Sequence, residues 1–118
     1  MDALIIVAHG SRLKSSNDEI VNIANNIKAN YDENEMLVLH AFLELTDPSI
    51  YNTLNKAVSH GCKKIKIFPY FLAAGKHVKD DIPSEIKQFK KRYPEVEFIL
   101  LPHIGQCKGI EDLIISNV

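Results

Sequence analysis

Two histidines stand where a hydrophobic run breaks into a polar loop. His9 follows Leu4–Ala8 (LIIVA) and opens His9-Gly10-Ser11-Arg12, while His77 follows Lys64–Tyr70 in a loop that also carries Gly75, Lys76 and Lys79. Neutral imidazoles bind first-row transition metals, and imidazole exchanges protons near neutral pH. Glu44, just past a third apolar run, adds a carboxylate suited to the role of metal ligand or base. Two histidines and a glutamate fit Co, Ni, Fe or Zn and leave coordination positions open to substrate. The bland readings are a loop histidine bonded to backbone and a solvated loop acid. The chemical reading requires a fold that brings the two histidines together.

The pattern along the chain supplies such a fold. Residues 3–8 read as a strand buried on both faces. Ser16-Asn17-Asp18-Glu19 reads as a capping box, with Ser16 as N-cap, before a helix from about Asn17 to Asn30 whose apolar face is Ile20, Ile23, Ala24, Ile27 and Tyr31. Met36–Phe42 is a second strand. Asp47 as cap and Pro48 at the first helical position open the next helix, faced by Ile50, Leu54, Ala57 and Val58 and ended by Gly61. Lys64–Tyr70 is the third strand, followed by a helix from Pro83 to about Tyr93, a fourth strand over Val96–Leu101 and a short last helix around Ile110, Leu113 and Ile114. Alternating strands and helices call for a parallel sheet covered on both faces, a three-layer αβα sandwich in one domain spanning residues 1–118. Right-handed crossovers favour the flavodoxin-like strand order 2-1-3-4. Strands 1 and 3 are then neighbours, and the crevice opens between the loops of His9 and His77.

Composition narrows the partners. With 46% hydrophobic and 25% charged residues and a net charge of −1, no overall field favours nucleic acid. Arg12, Lys14, Lys76 and Lys79 nevertheless make the two junctions locally basic. No apolar run approaches the ~20 residues that span a bilayer, and no basic leader precedes the first strand, so a cytoplasmic protein without membrane contact is expected. Cys62 and Cys107 lack a CxxC spacing. There is no GxGxxG, GxxxxGK[ST] or GxSxG. A phosphohistidine phosphatase would want arginine immediately before His-Gly, where this chain has Ala8. His40 in a strand and His60 at a helix end read as structural, and His103 as a bystander one strand out.

VAHGSR, AFLELTDPSI and above all FPYFLAAGKHVKDDIP resemble the CbiX-type sirohydrochlorin chelatases in their short form. The likeness runs from about Leu4 to Pro83 and more weakly through LLPHIG. It implies a class II chelatase fold and insertion of a divalent metal into sirohydrochlorin, with Co²⁺ favoured, Ni²⁺ second and Fe²⁺ third. The metal is then substrate, and no organic cofactor is expected. Residue by residue, the resemblance assigns His9 and His77 to metal handling and Glu44 to catalysis. Ser11, Arg12, Lys14, Phe71, Gly75, Lys76 and Lys79 become the substrate-binding set, the cations facing the macrocycle's carboxylates. His103 stands where relatives often have a small or apolar residue. One four-stranded domain offers a flat macrocycle only one wall, so a homodimer is expected. The alternatives are a tetrapyrrole or metal carrier without turnover, and a phosphate or flavin binder using residues 9–16.

Overall fold

The computed structural model describes the backbone of residues 1–118 and every side chain except that of His77. Strands β1 (Asp2–Ala8), β2 (Met36–Phe42), β3 (Lys64–Pro69) and β4 (Glu97–Leu100) form one parallel sheet in the order β2-β1-β3-β4, as the alternating pattern predicts. Helices α1 (Lys14–Lys28), α2 (Ile50–Ser59), α3 (Ile82–Arg92) and α4 (Ile110–Ile115) connect or follow the strands. None of them is long and apolar enough to cross a membrane.

The two faces of the sheet are unequally covered. On one, Ala3, Ile5 and Val7 of β1 and Ile65 and Ile67 of β3 pack under Leu54 and Ala57 of α2 and Ile82, Ile86 and Phe89 of α3. The other face alternates with it, and Ile6, Ala8 and Phe42 meet Ile20 of α1, with Leu4, Phe68 and Tyr70 half-buried beside them. Both faces are covered as expected, but α4 has no buried residue, so α1 supplies the buried contacts on the second face. The third strand alternates too, since Ile65, Ile67 and Pro69 are buried while Lys66 and Phe68 look toward the open side.

Three helix starts differ from expectation. α1 begins at Lys14, because the Leu13 carbonyl already accepts from the amides of Ser16 (3.1 Å) and Asn17 (3.4 Å). Ser16 makes no cap. Instead Asn17 reaches back to Ser11, accepting its amide at 3.0 Å and donating to its carbonyl at 2.8 Å. α2 begins after Ser49, whose hydroxyl accepts from the Asn52 amide at 3.1 Å. Asp47 and Pro48 lie before it, and the Pro48 carbonyl accepts from the Phe42 amide at 2.8 Å. Finally, α3 is preceded by a π-helical turn, His77–Asp81, where the sequence reads as a loop. Gly61 does end α2, at φ +80.

Candidate functional site

The site lies at the carboxyl ends of the strands, where two backbone bonds prolong the β1–β2 ladder. The Leu43 amide donates to the Ala8 carbonyl (3.0 Å) and the Glu44 amide to the His9 carbonyl (3.1 Å), continuing the Ala8–Phe42 register past both strands. This extension sets His9 and Glu44 side by side. His9 Nε2 lies 2.7 Å from Glu44 Oε1, with the side chains 49% and 50% exposed, so the pair is open to a substrate while held to the sheet. At that distance the imidazole N–H donates to the carboxylate, which orients the ring.

Gly10 makes this approach feasible. It adopts φ +94, and a Cβ there would fall 1.9 Å from the Glu44 carbonyl oxygen. Only glycine fits both the conformation and the gap.

The third wall comes from the segment after β3. Tyr70 donates its amide to the Val7 carbonyl at 2.7 Å, and the next residue, Phe71, meets the His9 ring edge-on at 6.5 Å between centroids and 80° between planes. Gly105, in a 3₁₀ turn (Ile104–Gln106) after β4, donates its amide to the Phe71 carbonyl at 3.0 Å. A Cβ on Gly105 would fall 1.7 Å from the Leu72 carbonyl oxygen, so the turn braces this segment from beneath.

His77 opens the π-helical turn at the end of the same segment, in which the Lys79 amide donates to the Gly75 carbonyl at 3.1 Å. Such turns recur at functional sites because they re-aim a side chain without ending a helix. The expectation that the His77 imidazole faces His9 falls outside the described residues. Among the described residues no three His, Cys, Asp or Glu side chains are grouped to hold a metal ion, and the His9–Glu44 pair stands at this edge by itself.

The remaining expected site residues divide. Ser11 is structural as well as accessible: its backbone is clasped by Asn17, and its hydroxyl accepts from the Leu13 amide at 3.0 Å. Arg12 is exposed and, among the described residues, makes no ion pair. It lines a polar cleft of about 400 Å³ with Asn17, Phe42, Leu45, Thr46 and Asp47. Lys14 is displaced from its expected loop into the first turn of α1, where its Nζ is 2.8 Å from Asp18 Oδ2. Gly75, Lys76 and Lys79 are exposed, although Lys79 belongs to the π turn rather than to a loop.

Other groups stand apart from this edge. His40 lies within β2, and burial, with Lys56 adding to it, holds its pKa below the usual histidine value. His60 caps α2, its Nδ1 bonded to the Lys56 carbonyl at 2.8 Å. His103 precedes the 3₁₀ turn, and its carbonyl accepts from Cys107 Sγ at 3.4 Å. Burial pushes the Cys62 thiol pKa up, which makes it a poor nucleophile.

A feature missed in the sequence is a rim of exposed leucines: Leu13 (62%), Leu45 (53%) and Leu72 (80%), one in each segment leaving β1, β2 and β3. Leu45 takes φ 69, which no periodicity signals. For Leu13 and Leu45 the signal available was the polar context, Ser11-Arg12 before Leu13 and Thr46-Asp47 after Leu45, whereas Leu72 stands among Phe71, Ala73 and Ala74 and gives no such signal.

Comparison with known proteins bears on the chain as a whole. The chain is 35% identical over 118 residues to a sirohydrochlorin ferrochelatase of Priestia megaterium, covering 100% of this chain but only 44% of that protein. It is 32% identical over 114 residues to a sirohydrochlorin cobaltochelatase of Sulfolobus acidocaldarius, covering 97% and 87% respectively. The fold superimposes on a Bacillus subtilis subspecies spizizenii sirohydrochlorin chelatase, SirB, in complex with cobalt, with a TM-score of 0.83 and 29% identity over 98% of this chain and 48% of that one. A CbiX protein from Marinobacter aquaeolei VT8 gives 0.78 and 25%, covering 99% and 97%. Thus the chain spans under half of the Priestia protein and of SirB, yet nearly all of the Sulfolobus and Marinobacter proteins. The CbiX family model matches residues 3–118, and on that match and these relatives the chain belongs to the CbiX family.

Proposed function

We propose that this protein is a sirohydrochlorin chelatase that places a divalent first-row metal into the tetrapyrrole, with Co²⁺ favoured, Ni²⁺ next and Fe²⁺ third. The observation that carries the reading is the exposed His9–Glu44 pair, 2.7 Å apart at the crevice of a parallel sheet. Metal insertion releases two pyrrole protons, and it exchanges the metal's ligands for ring nitrogens. An imidazole backed by a carboxylate is suited to accept such a proton. His9 and His77 deliver the metal as a sparse ligand set, because a closed tetrahedral cage would retain it.

The substrate is flat and fringed with carboxylates. Arg12, Lys76 and Lys79 attract that fringe, and Leu13, Leu45, Leu72 and Phe71 offer apolar surface to its faces. Ser11 and Gly75 keep the flanking loops in place, and Lys14 serves the field of the cleft rather than a direct contact. One such domain supplies one wall, so the working enzyme is a homodimer with the second wall from a symmetry mate. Cys62 and Cys107 are both free, which suits a reducing, cytoplasmic setting.

The test is optical. Sirohydrochlorin is mixed with Co²⁺, Ni²⁺ or Fe²⁺ in parallel, and the absorbance change is timed with and without catalytic protein. Turnover above the spontaneous rate that falls by about 10²-fold or more in His9→Ala and His77→Ala supports the assignment. A stoichiometric shift without rate enhancement replaces it with a carrier, and parent rates in both variants remove the two histidines from the mechanism.

A further inference from the structure

The loop that joins β1 to α1 has little backbone pairing of its own. Its start is fixed by the Glu44 amide on the His9 carbonyl (3.1 Å), and its end by the Leu13 carbonyl, which accepts from the Ser16 and Asn17 amides. Between them, among the described residues, no backbone–backbone hydrogen bond engages Gly10, Ser11 or Arg12. One side chain fills the gap. Half-buried Asn17 accepts the Ser11 amide on Oδ1 (3.0 Å) and donates from Nδ2 to the Ser11 carbonyl (2.8 Å). Both main-chain groups of Ser11 are thereby paired, as a neighbouring strand would pair them. The Ser11 hydroxyl then accepts the Leu13 amide at 3.0 Å, closing a turn across Arg12.

On local grounds asparagine is a poor choice here. It is the fourth residue of α1, where alanine or glutamate would favour the helix more. A residue that breaks a local preference while holding a loop six residues away points to a use for what the loop carries. This loop carries Arg12. The nearby cation Lys14 is engaged by Asp18 at 2.8 Å, whereas Arg12 is exposed and makes no ion pair among the described residues. Arg12 and Asn17 line the same polar cleft. His9, by contrast, is tied to the sheet through Glu44 by bonds that do not involve Asn17.

We propose that Asn17 is a positioning residue for sirohydrochlorin binding: its clasp on Ser11 presents Arg12 to a carboxylate of the macrocycle. A planar guanidinium grips a carboxylate through paired N–H donors, which demands a fixed approach. An arginine pre-set by the clasp loses less freedom on binding than one on a slack loop. The role is confined to binding, because the His9–Glu44 contact is held separately. The inference rests on the chelatase reading and names the residue that prepares its substrate contact.

The test uses the full chain carrying Asn17→Ala, a change that favours the helix and so is compatible with folding, as thermal melting will show. KM for sirohydrochlorin should rise roughly tenfold, while kcat stays within about twofold of the parent. Arg12→Ala should raise KM by a similar factor. The double variant should add no more than about twofold to Arg12→Ala alone, because the clasp acts through the arginine. Additive effects, or a fall in kcat with KM unchanged, overturn the proposal, since a merely structural loss gives those results. Titration of metal-free sirohydrochlorin into the same proteins reads Kd without turnover, and the same rise and the same non-additivity are expected there. This keeps the two readings apart. Turnover with KM and Kd indifferent to Asn17→Ala sinks the clasp alone. Binding without turnover, with Kd raised by Asn17→Ala, sinks the chelatase alone, and a parent that binds no sirohydrochlorin sinks both.

Discussion

His9 Nε2 and Glu44 Oε1 are 2.7 Å apart, and their backbones are joined by a ladder bond of 3.1 Å from the Glu44 amide to the His9 carbonyl. The contact is thus made twice, once by side chains and once by main chain. Glu44→Gln keeps the shape and loses the charge. Metal insertion should fall about 10²-fold, with the unfolding midpoint nearly unchanged because both side chains are half exposed. Steady-state rates beside thermal melts check this, and an undiminished rate would make Glu44 a bystander.

Gly10→Ala tests the main-chain half of that contact. The added carbon meets the Glu44 carbonyl oxygen and must also hold φ +94, so a loss of about 1–3 kcal/mol is expected in urea unfolding. Activity should drop more than stability does, since what moves is the spacing of His9 from Glu44.

Gly105→Ala acts at a distance from the pair. Its carbon would press on the Leu72 carbonyl and loosen the amide bond to Phe71. The expected outcome is a slower enzyme with altered near-ultraviolet dichroism from the displaced Phe71, while far-ultraviolet spectra stay unchanged.

Leu72→Ser removes the most exposed of the three rim leucines, at 80%. A surface change of this kind leaves stability within about 0.5 kcal/mol. If the rim holds the macrocycle's faces, KM for sirohydrochlorin should rise roughly three- to tenfold for a loss of about 1 kcal/mol of contact, with kcat retained.

His40 governs part of the acid limb. Burial, and then Lys56, lowers its folded pKa below the usual 6.5. As pH falls below that value the unfolded chain takes up this proton first, so the stability present above it is lost progressively toward the folded pKa. His40→Gln should flatten the dependence of the melting midpoint on pH between about 7 and 5. An equally steep decline in the variant would assign the acid limb to other groups.

Much of this architecture was legible because its signals are local. LIIVA and KIKIF mark buried strands, and the periodic apolar positions of α1 to α3 mark helices that have somewhere to pack. Strand order followed from crossover handedness, and with it the edge on which chemistry is placed. What escaped was set by competition between partners distant in the chain or hidden from pattern. Ser16 and Glu19 spell a capping box, but Asn17 bonds more favourably to Ser11, which shifts the start of α1. Ser49 displaces Asp47 because the Pro48 carbonyl is taken by Phe42. Ile110, Leu113 and Ile114 announce a helix truthfully, yet nothing in their spacing says that it buries none of its residues. Glu44 could be noticed in the sequence, but its contact with His9 follows only from the register of β1 and β2.

Because the Leu43 and Glu44 amides bond back to Ala8 and His9 just past the Ala8–Phe42 pair, the His9–Glu44 contact is held by the sheet, while its surroundings stand on the segments that leave it. The two can therefore evolve separately. Randomising residues 12–14, 45–47 and 72–76 would retune which ion or which tetrapyrrole is accepted without dismantling the histidine–carboxylate couple, and selection for a new metal has its freedom there.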